Sequence, residues 1–422
     1  MKRLISMLLL VGMITASLSG CYLNSSELEE TDLPDHIAEP IKAVNLLSQK
    51  KSSAKNQSLP EATAVGFSLT LLRQALDEED SVCISPLSIL AALGMTANGA
   101  AGDTLAQLEA AFGMSTAQLN DLISHYMQGE DEVLHTANSI WMKDDGKLEI
   151  KESFLDAVGE SYYGAGLFKA PFDQSTVADI NAWVKENTKD RIAKMIDRFS
   201  GDEVVCLINA LSFDAEWQSP YNEYSIRPRS FTTASGEVQE ASMMYSTERA
   251  YLEDEHAVGF IKYYKDRKYA FAALLPEEGM SLADYAAMLT DEKLTEMLKN
   301  PISVKVEAGM PKFEQEYSVS LNDILKMAGI TDLFGAECDL SAMGSYAGSP
   351  LYVSSVLHKT YIKVDGKGTE AGAATAVIAA PTSAVPSEDE TKLVILDRPY
   401  LYIIFDCELG VPIFMGAVSQ IN

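Results

Sequence analysis

Cysteine is scarce, five in 422 residues, and no Cys-x-x-Cys pair occurs among them. Closely spaced cysteines are what redox centres and structural zinc sites are built from, so both classes lack their motif. Histidine is equally sparse: none of His36, His125, His135, His256 and His358 lies within four residues of another, and there is no HExxH. GxSxG, Walker and GxGxxG sequences are also missing. Hydrolase, nucleotide-binding and zinc-enzyme readings therefore have no local signature, although a triad assembled from distant residues leaves none. Positive charge is short as well, with 33 Lys and Arg against 61 Asp and Glu and a formal net charge of −28. Nucleic acid and anionic lipid are poor partners for such a surface. After the first twenty residues no apolar run is long enough to span a bilayer.

What is present begins with an export signal. Met1-Lys2-Arg3 followed by the apolar run Leu8 to Ile14 has the charge and length of a secretory leader. Its end, Leu18-Ser19-Gly20-Cys21, resembles a bacterial lipobox, which implies cleavage before Cys21 and acylation of its thiol. Residues 1–20 then form a lipoprotein signal peptide, and its loss takes the formal charge from −28 to −30 as Lys2 and Arg3 leave. Several acyl chains anchor stably where one does so only marginally, so the expectation is a chain held at the cell envelope with its body facing outward. Residues 21–59 read as the acylated cysteine and a polar spacer. Two SxxK matches fall there, Ser48 to Lys51 and Ser52 to Lys55, without the strand and helix setting an acyl-enzyme site requires. The other cysteines, Cys83, Cys206, Cys338 and Cys407, are widely spaced, Cys83 and Cys206 within plainly apolar runs. Export permits disulfides, but buried free thiols packing as small hydrophobes are the reading favoured here.

With 47% hydrophobic and 22% charged residues, the remainder has ample material for a core. Residues 60–422 are expected to form one domain. Apolar spacing predicts a helix over Ala64 to Arg73 and a short strand at Val82-Cys83-Ile84. Ser85 is placed to cap the next helix, with Pro86 in its first turn. Ala137 to Trp141 reads as the start of a strand and Ile180 to Thr188 as an amphipathic helix.

The most unusual stretch runs from Val364 to Ser383. No charged residue occurs between Glu370 and Glu388, and Ala371 to Ala376 contains only Ala, Gly and Thr. Such residues neither anchor a core nor react, and on composition alone they suit a flexible linker. They could also slide edgewise between two strands where bulky side chains would collide with the layer beneath. Period-two alternation would then turn Thr369, Ala371, Ala373, Thr375 and Val377 inward if Glu370 faces water.

Lys367-Gly368-Thr369-Glu370-Ala371 resembles the hinge of the reactive-centre loop of the serpins, the serine protease inhibitor family, where Glu-x-Gly-Thr-Glu-Ala precedes small residues. The leading Glu is absent, Gly366 standing in its place. Other runs resemble serpin segments in collinear order from about residue 64 to 420: Ser85-Pro86-Leu87-Ser88-Ile89, Ala137 to Trp141, Ile180 to Thr188, Leu207 to Phe213 with Glu216-Trp217, Met243-Met244, Ala273 to Pro276, Met310 to Phe313, Asp397 to Ile404 and Pro412 to Val418.

The resemblance implies a mixed α+β fold with three β-sheets, about eight or nine helices and an exposed reactive-centre loop over about 366–392. It implies a hinge of Gly366, Gly368, Thr369, Glu370, Ala371, Gly372, Ala373, Ala374 and Thr375. Ser88, Asn209 and His358 would form a polar shutter beneath the main sheet, and Trp217 would mark the breach where the loop first inserts. The family's loop length places the scissile bond at Thr382-Ser383, with cleavage at Ala380, Ala384 or Val385 left open because the chain downstream is longer than in familiar serpins. Ala379-Ala380-Pro381 suits elastase-like or subtilisin-like serine proteases, whereas trypsin-like ones are unsuited because no Lys or Arg lies between Glu370 and Lys392. The implied function is a monomeric suicide inhibitor with neither cofactor nor metal, not an enzyme. The alternatives are a non-inhibitory carrier or a cysteine-protease inhibitor on the same scaffold.

Overall fold

A computed structural model describes residues 61–421 apart from 78, 128–132, 200, 202, 354–355 and 370–390. Helix α1 (Glu61–Ala75) and strand β1 (Val82–Ile84) lead into α2 (Pro86–Ala97), α3 (Gly102–Phe112) and α4 (Thr116–Met127). Then come β2 (Leu134–Lys143), β3 (Leu148–Ile150), α5 (Glu152–Asp156), β4 (Gly166–Ala170), α6 (Gln174–Asn187) and β5 (Val205–Phe213). A single residue, Asp214, separates β5 from β6 (Ala215–Glu216). Strands β7 (Ile226–Thr232), β8 (Val238–Glu253), β9 (Ala257–Tyr263) and β10 (Tyr269–Pro276) precede α7 (Leu282–Met288) and α8 (Asp291–Lys299). The last third carries β11 (Ile302–Pro311), β12 (Phe313–Ser320), α9 (Asn322–Met327), β13 (Gly344–Tyr346) and β14 (Leu357–Val364). It closes with β15 (Gly368–Thr369), β16 (Thr391–Ile395), β17 (Tyr400–Asp406) and β18 (Pro412–Val418).

The fold is mixed α+β, as expected. Among the described residues the strands form four hydrogen-bonded sheets. A nine-stranded sheet runs β1-β18-β17-β10-β9-β8-β11-β16, with β7 also on β8. Its centre is buried on both faces: every residue of β10, β17 and β18 is buried, and all three read as continuous apolar runs. A small pair joins β13 to β3, and the rest divide into β4-β2-β5 and β12-β14-β15-β6. Since β6 continues β5, the last two sheets are one layer parted along a seam. Its two sides, β5 and β14, share no ladder among the described residues, and β15 bridges them at the β6 end.

Alternation on β5 explains what lies on either side of this layer. Ile208 and Ala210 join a core with Trp141, Val177, Ile180 and Val184, which seats α6 on the outer face. Asn209, Leu211 and Phe213, one residue out of phase, turn to the main interior, where α2 lies. Helix α2 is buried almost all round, as its uniformly apolar sequence requires. Ser85 caps it, its hydroxyl accepting from the Ser88 N–H at 3.3 Å, and Pro86 occupies the first turn. Cys83, Cys206, Cys338 and Cys407 are all free thiols, the first and third buried and the others half-buried. Burial pushes Cys83 up to about 11 and Cys206 up to about 12, so neither is a ready nucleophile.

On β18, beside the edge strand β1, Gly416 leaves no space for a side chain. A Cβ there would lie 2.2 Å from the Val82 carbonyl oxygen and 2.5 Å from the Tyr402 hydroxyl. Gly416→Ala is expected to destabilise the fold by roughly 1–3 kcal/mol through overpacking. A lower midpoint in urea unfolding checks this, and an unchanged one would show that β1 can retreat at no cost.

Candidate functional site: the hinge and the polar cluster of the seam

Strand β14 ends at Val364, and the chain reverses over Asp365-Gly366-Lys367 to return as β15. A turn thus precedes Thr369, the first residue of the expected alternation. Its cause is Asp365, whose Oδ1 accepts from the Lys367 N–H at 2.8 Å and the Gly368 N–H at 3.3 Å, an aspartate closing its own turn. Strand β15 then runs antiparallel to both neighbours, Thr369 opposite Val364 on one side and Ala215 on the other.

Three successive carbonyls of this turn are held by one short segment. The Trp217 indole N–H donates to Asp365 O at 2.9 Å, the Trp217 backbone N–H to Lys367 O at 2.8 Å, and the Tyr221 N–H to Gly366 O at 2.7 Å. Trp217 stacks on Tyr264 with 4.4 Å between ring centroids, and the Tyr264 and Thr369 hydroxyls share a hydrogen bond of 2.6 Å. Thr369 is buried, its side chain turned inward. At Gly368 a Cβ would stand 2.0 Å from the Ala215 carbonyl oxygen, so the close approach of β15 to β6 requires glycine. At Gly366 a Cβ would come 3.1 Å from Ile226 Cδ1, a tight contact with the movable end of a side chain rather than with backbone.

Beneath the seam lies a polar cluster. The Ser88 hydroxyl donates to Asn209 Oδ1, and Asn209 Nδ2 donates to Asn138 Oδ1 at 2.6 Å. Asn138 Nδ2 continues to the Tyr163 carbonyl at 2.8 Å. His358, on the other side of the seam, joins through Ser85: the Ser85 N–H donates to His358 Nε2 at 3.0 Å, while its hydroxyl donates to Ile413 O at 2.7 Å. The N-terminus of α2 therefore ties β14 to β5. Ser88 and Asn209 are bonded directly, and His358 reaches them by way of Ser85. Asn138 and the cap's second role were not singled out from the sequence. The available signal was a pair of mid-strand asparagines, which face each other in the β2–β5 register.

Farther from β6, a cavity of about 90 Å³ opens beside the seam, lined by Leu207, Phe199, Met343, Leu351, Val356 and Leu357 among others. No cluster of three or more His, Cys, Asp and Glu able to hold a metal occurs among the described residues. Glu370, Ala371, Gly372, Ala373, Ala374 and Thr375, the Thr382-Ser383 bond and Cys21 lie outside the described residues.

A parted layer with a returning strand at one end is an arrangement that comparison with known proteins can test. The family model for serpins, serine protease inhibitors, matches residues 62–421. The chain belongs to the serpin family. It is 31% identical to human antithrombin-III over 398 residues, 88% of this chain and 84% of that one. An uncharacterised serpin-like protein of Thermococcus kodakarensis is 28% identical across 98% of both. The crystal structure of the thermophilic serpin tengpin in its native state superposes with a TM-score of 0.81 at 38% identity, covering 91% of this chain and 97% of that one. Tengpin in its latent state gives 0.75 at 36% identity, covering 87% and 99%. Serpins are generally protease inhibitors rather than enzymes.

Within this serpin, His358 must be neutral to accept the Ser85 N–H, and burial pulls it down to about 3. The unfolded chain binds this proton near pH 6.5, the folded one only near 3, so the stability conferred is complete above about 6.5 and is lost as pH falls from there toward 3. The expected slope is at most about 1.4 kcal/mol per pH unit from this group. Urea midpoints between pH 7 and 4 should fall less steeply in His358→Gln than in the parent. Parallel slopes would remove the histidine from the linkage.

Proposed function

We propose that this serpin is a suicide inhibitor of serine proteases of elastase-like or subtilisin-like specificity, which traps its target by inserting the cleaved loop into the seam between β5 and β14. One observation carries the reading: β15 is a strand already begun, paired on both sides at the mouth of that seam.

The observed pairs fix how such a strand would continue. Carried on from Thr369, the register would set Ala371 between Phe213 and Ile362, and Ala373 between Leu211 and Thr360. Thr375 would meet Asn209 on one side and His358 on the other, and Val377 would meet Leu207 and Val356. Burial alternates along β14 from Val364 back to His358, and on β5 Phe213 and Leu211 join the main core while Ala210 and Ile208 join the outer one, which supports an unbroken phase. The residues turned inward would be small where the walls are packed. The first large one, Val377, would fall beside the cavity lined by Leu207 and Val356. Thr375 would bring a hydroxyl to the polar cluster, where an unpaired buried group costs about 1–3 kcal/mol.

The reading includes the finer features expected from the sequence: a reactive bond at Thr382-Ser383, a leader over 1–20, lipid on Cys21, a spacer to residue 59 and one domain from 60. The chain would act as a monomer tethered at the cell envelope. A carrier role has no use for a loop that can enter the seam, whereas an inhibitor of this kind depends on one.

Mixing the purified protein with neutrophil or pancreatic elastase should give an adduct that survives denaturing electrophoresis, and the nicked chain should gain heat resistance. Cleavage with neither result would overturn the inhibitor reading. Thr369→Arg should abolish the adduct and leave a substrate, because Thr369 is buried against Tyr264 and a lone charge there is costly. Val377→Asp should do the same from the far end of the seam. Full adduct yield from both variants would refute the register.

A further inference from the structure

Lys262 is the buried cation that neither the hinge nor the polar cluster uses. It lies on β9 in the run Gly259-Phe260-Ile261-Lys262-Tyr263-Tyr264, with its side chain only 2% exposed. Its ammonium bonds Glu248 Oε1 at 2.8 Å, and the Ser246 hydroxyl donates to the same oxygen at 2.7 Å. The ammonium also sits 4.3 Å from the centroid of the Tyr221 ring and 5.6 Å from that of Trp217. These two residues are the ones whose backbone N–H groups hold Gly366 O and Lys367 O.

A buried ion pair is seldom kept for stability, since apolar residues of similar volume serve as well or better. What a single charge between two aromatic faces does provide is a fixed position for both rings. We propose that the Glu248–Lys262 pair is a positioning device for the hinge, pinning Tyr221 and Trp217 so that β15 stays paired to β6 as the starting point for insertion. Lys262 acts through the two rings and is a positioning residue. This rests on the reading of β15 as the start of the inserting strand. Once the loop is cut, trapping competes with release of the protease, and a strand that must first dock its hinge inserts later than one already seated.

The test replaces the pair as a unit, Lys262→Met with Glu248→Leu, and follows amide hydrogen exchange without any protease. Exchange at Trp217 and Tyr221 should accelerate on the order of tenfold, the scale of a desolvated cation–π contact, while the melting temperature holds. Lys262→Arg, which keeps charge and stacking, should exchange like the parent. With elastase, the double variant should yield several-fold more cleaved, untrapped chain. Unchanged exchange at both amides in a folded double variant would overturn the proposal. If that variant fails to fold, Tyr221→Leu removes one ring and leaves the pair intact, and unchanged exchange at Trp217 there would be equally fatal. Absence of adduct from the parent would sink the inhibitor reading alone and leave the exchange result to decide this one.

Discussion

The structure depends on a ladder that is not made. Strands β5 and β14 lie side by side in one layer, over one interior, and no hydrogen-bonded pairing joins them among the described residues. Backbone N–H and C=O groups are obligatory hydrogen-bonding groups, so two strands facing each other in this way hold unrealised pairing energy. A compact chain ordinarily removes such edges. Retaining one at the centre of a domain is tolerable if the fold is held kinetically in a state that is not its most stable. The remaining features of the site then fall into two groups: those that hold the seam in place and those that would let a strand begin within it.

The polar cluster belongs to the first group. Ser85, Ser88, Asn138, Asn209 and His358 come from four elements, and their bonds cross beneath the seam from β14 through the α2 terminus to β5 and β2. Apolar packing at the same place would be indifferent to a sideways slip of the strands. Directional bonds are not, because each group that loses its partner remains buried and unpaired. A histidine held neutral by burial suits this task better than a charged residue, since imidazole can accept a bond here without carrying a charge into the interior.

Much of this was legible in the sequence where the signal is local. The cap at Ser85 with Pro86 behind it, the short strand at Val82-Cys83-Ile84 and the helix over Ala64 to Arg73 follow from propensity and periodicity. The resemblance supplied the collinear frame and brought Ser88, Asn209 and His358 to notice. It could not supply the geometry that depends on side chains far apart in the chain. That His358 reaches Ser88 only through Ser85 depends on which atom of a capping serine is free, and capping uses its hydroxyl as an acceptor, leaving the N–H for the imidazole. The turn at Asp365 was not named from the sequence although its signal, Asp365-Gly366, is local; what could not be read is that Trp217 and Tyr221, about 150 residues upstream, hold its carbonyls. Lys262 was also overlooked, since a lone lysine in an apolar strand gives no sign of its partner Glu248 on the neighbouring strand.

The missing glutamate at the hinge shows how such substitutions are compensated. With Gly366 the turn lies close against Ile226 and Tyr221, and its carbonyl is taken up by a backbone N–H, so no side chain is needed to fasten the hinge from above. The fastening comes from below, through Trp217 and Tyr221 and the rings beneath them. Backbone bonds of this kind reach full strength only if the segment supplying the donors is itself fixed, and that segment lies outside any long strand, between β6 and β7. Its rigidity must therefore come from side-chain packing. The stacked Trp217 and Tyr264, the Tyr264 hydroxyl on Thr369, and the edge contact of Trp217 with Phe271 at 6.0 Å provide it by anchoring the hinge to the interior of the nine-stranded sheet. The buried sheet thus supports the turn above it, and a glycine suffices at 366 because the aromatic floor below is held by the core.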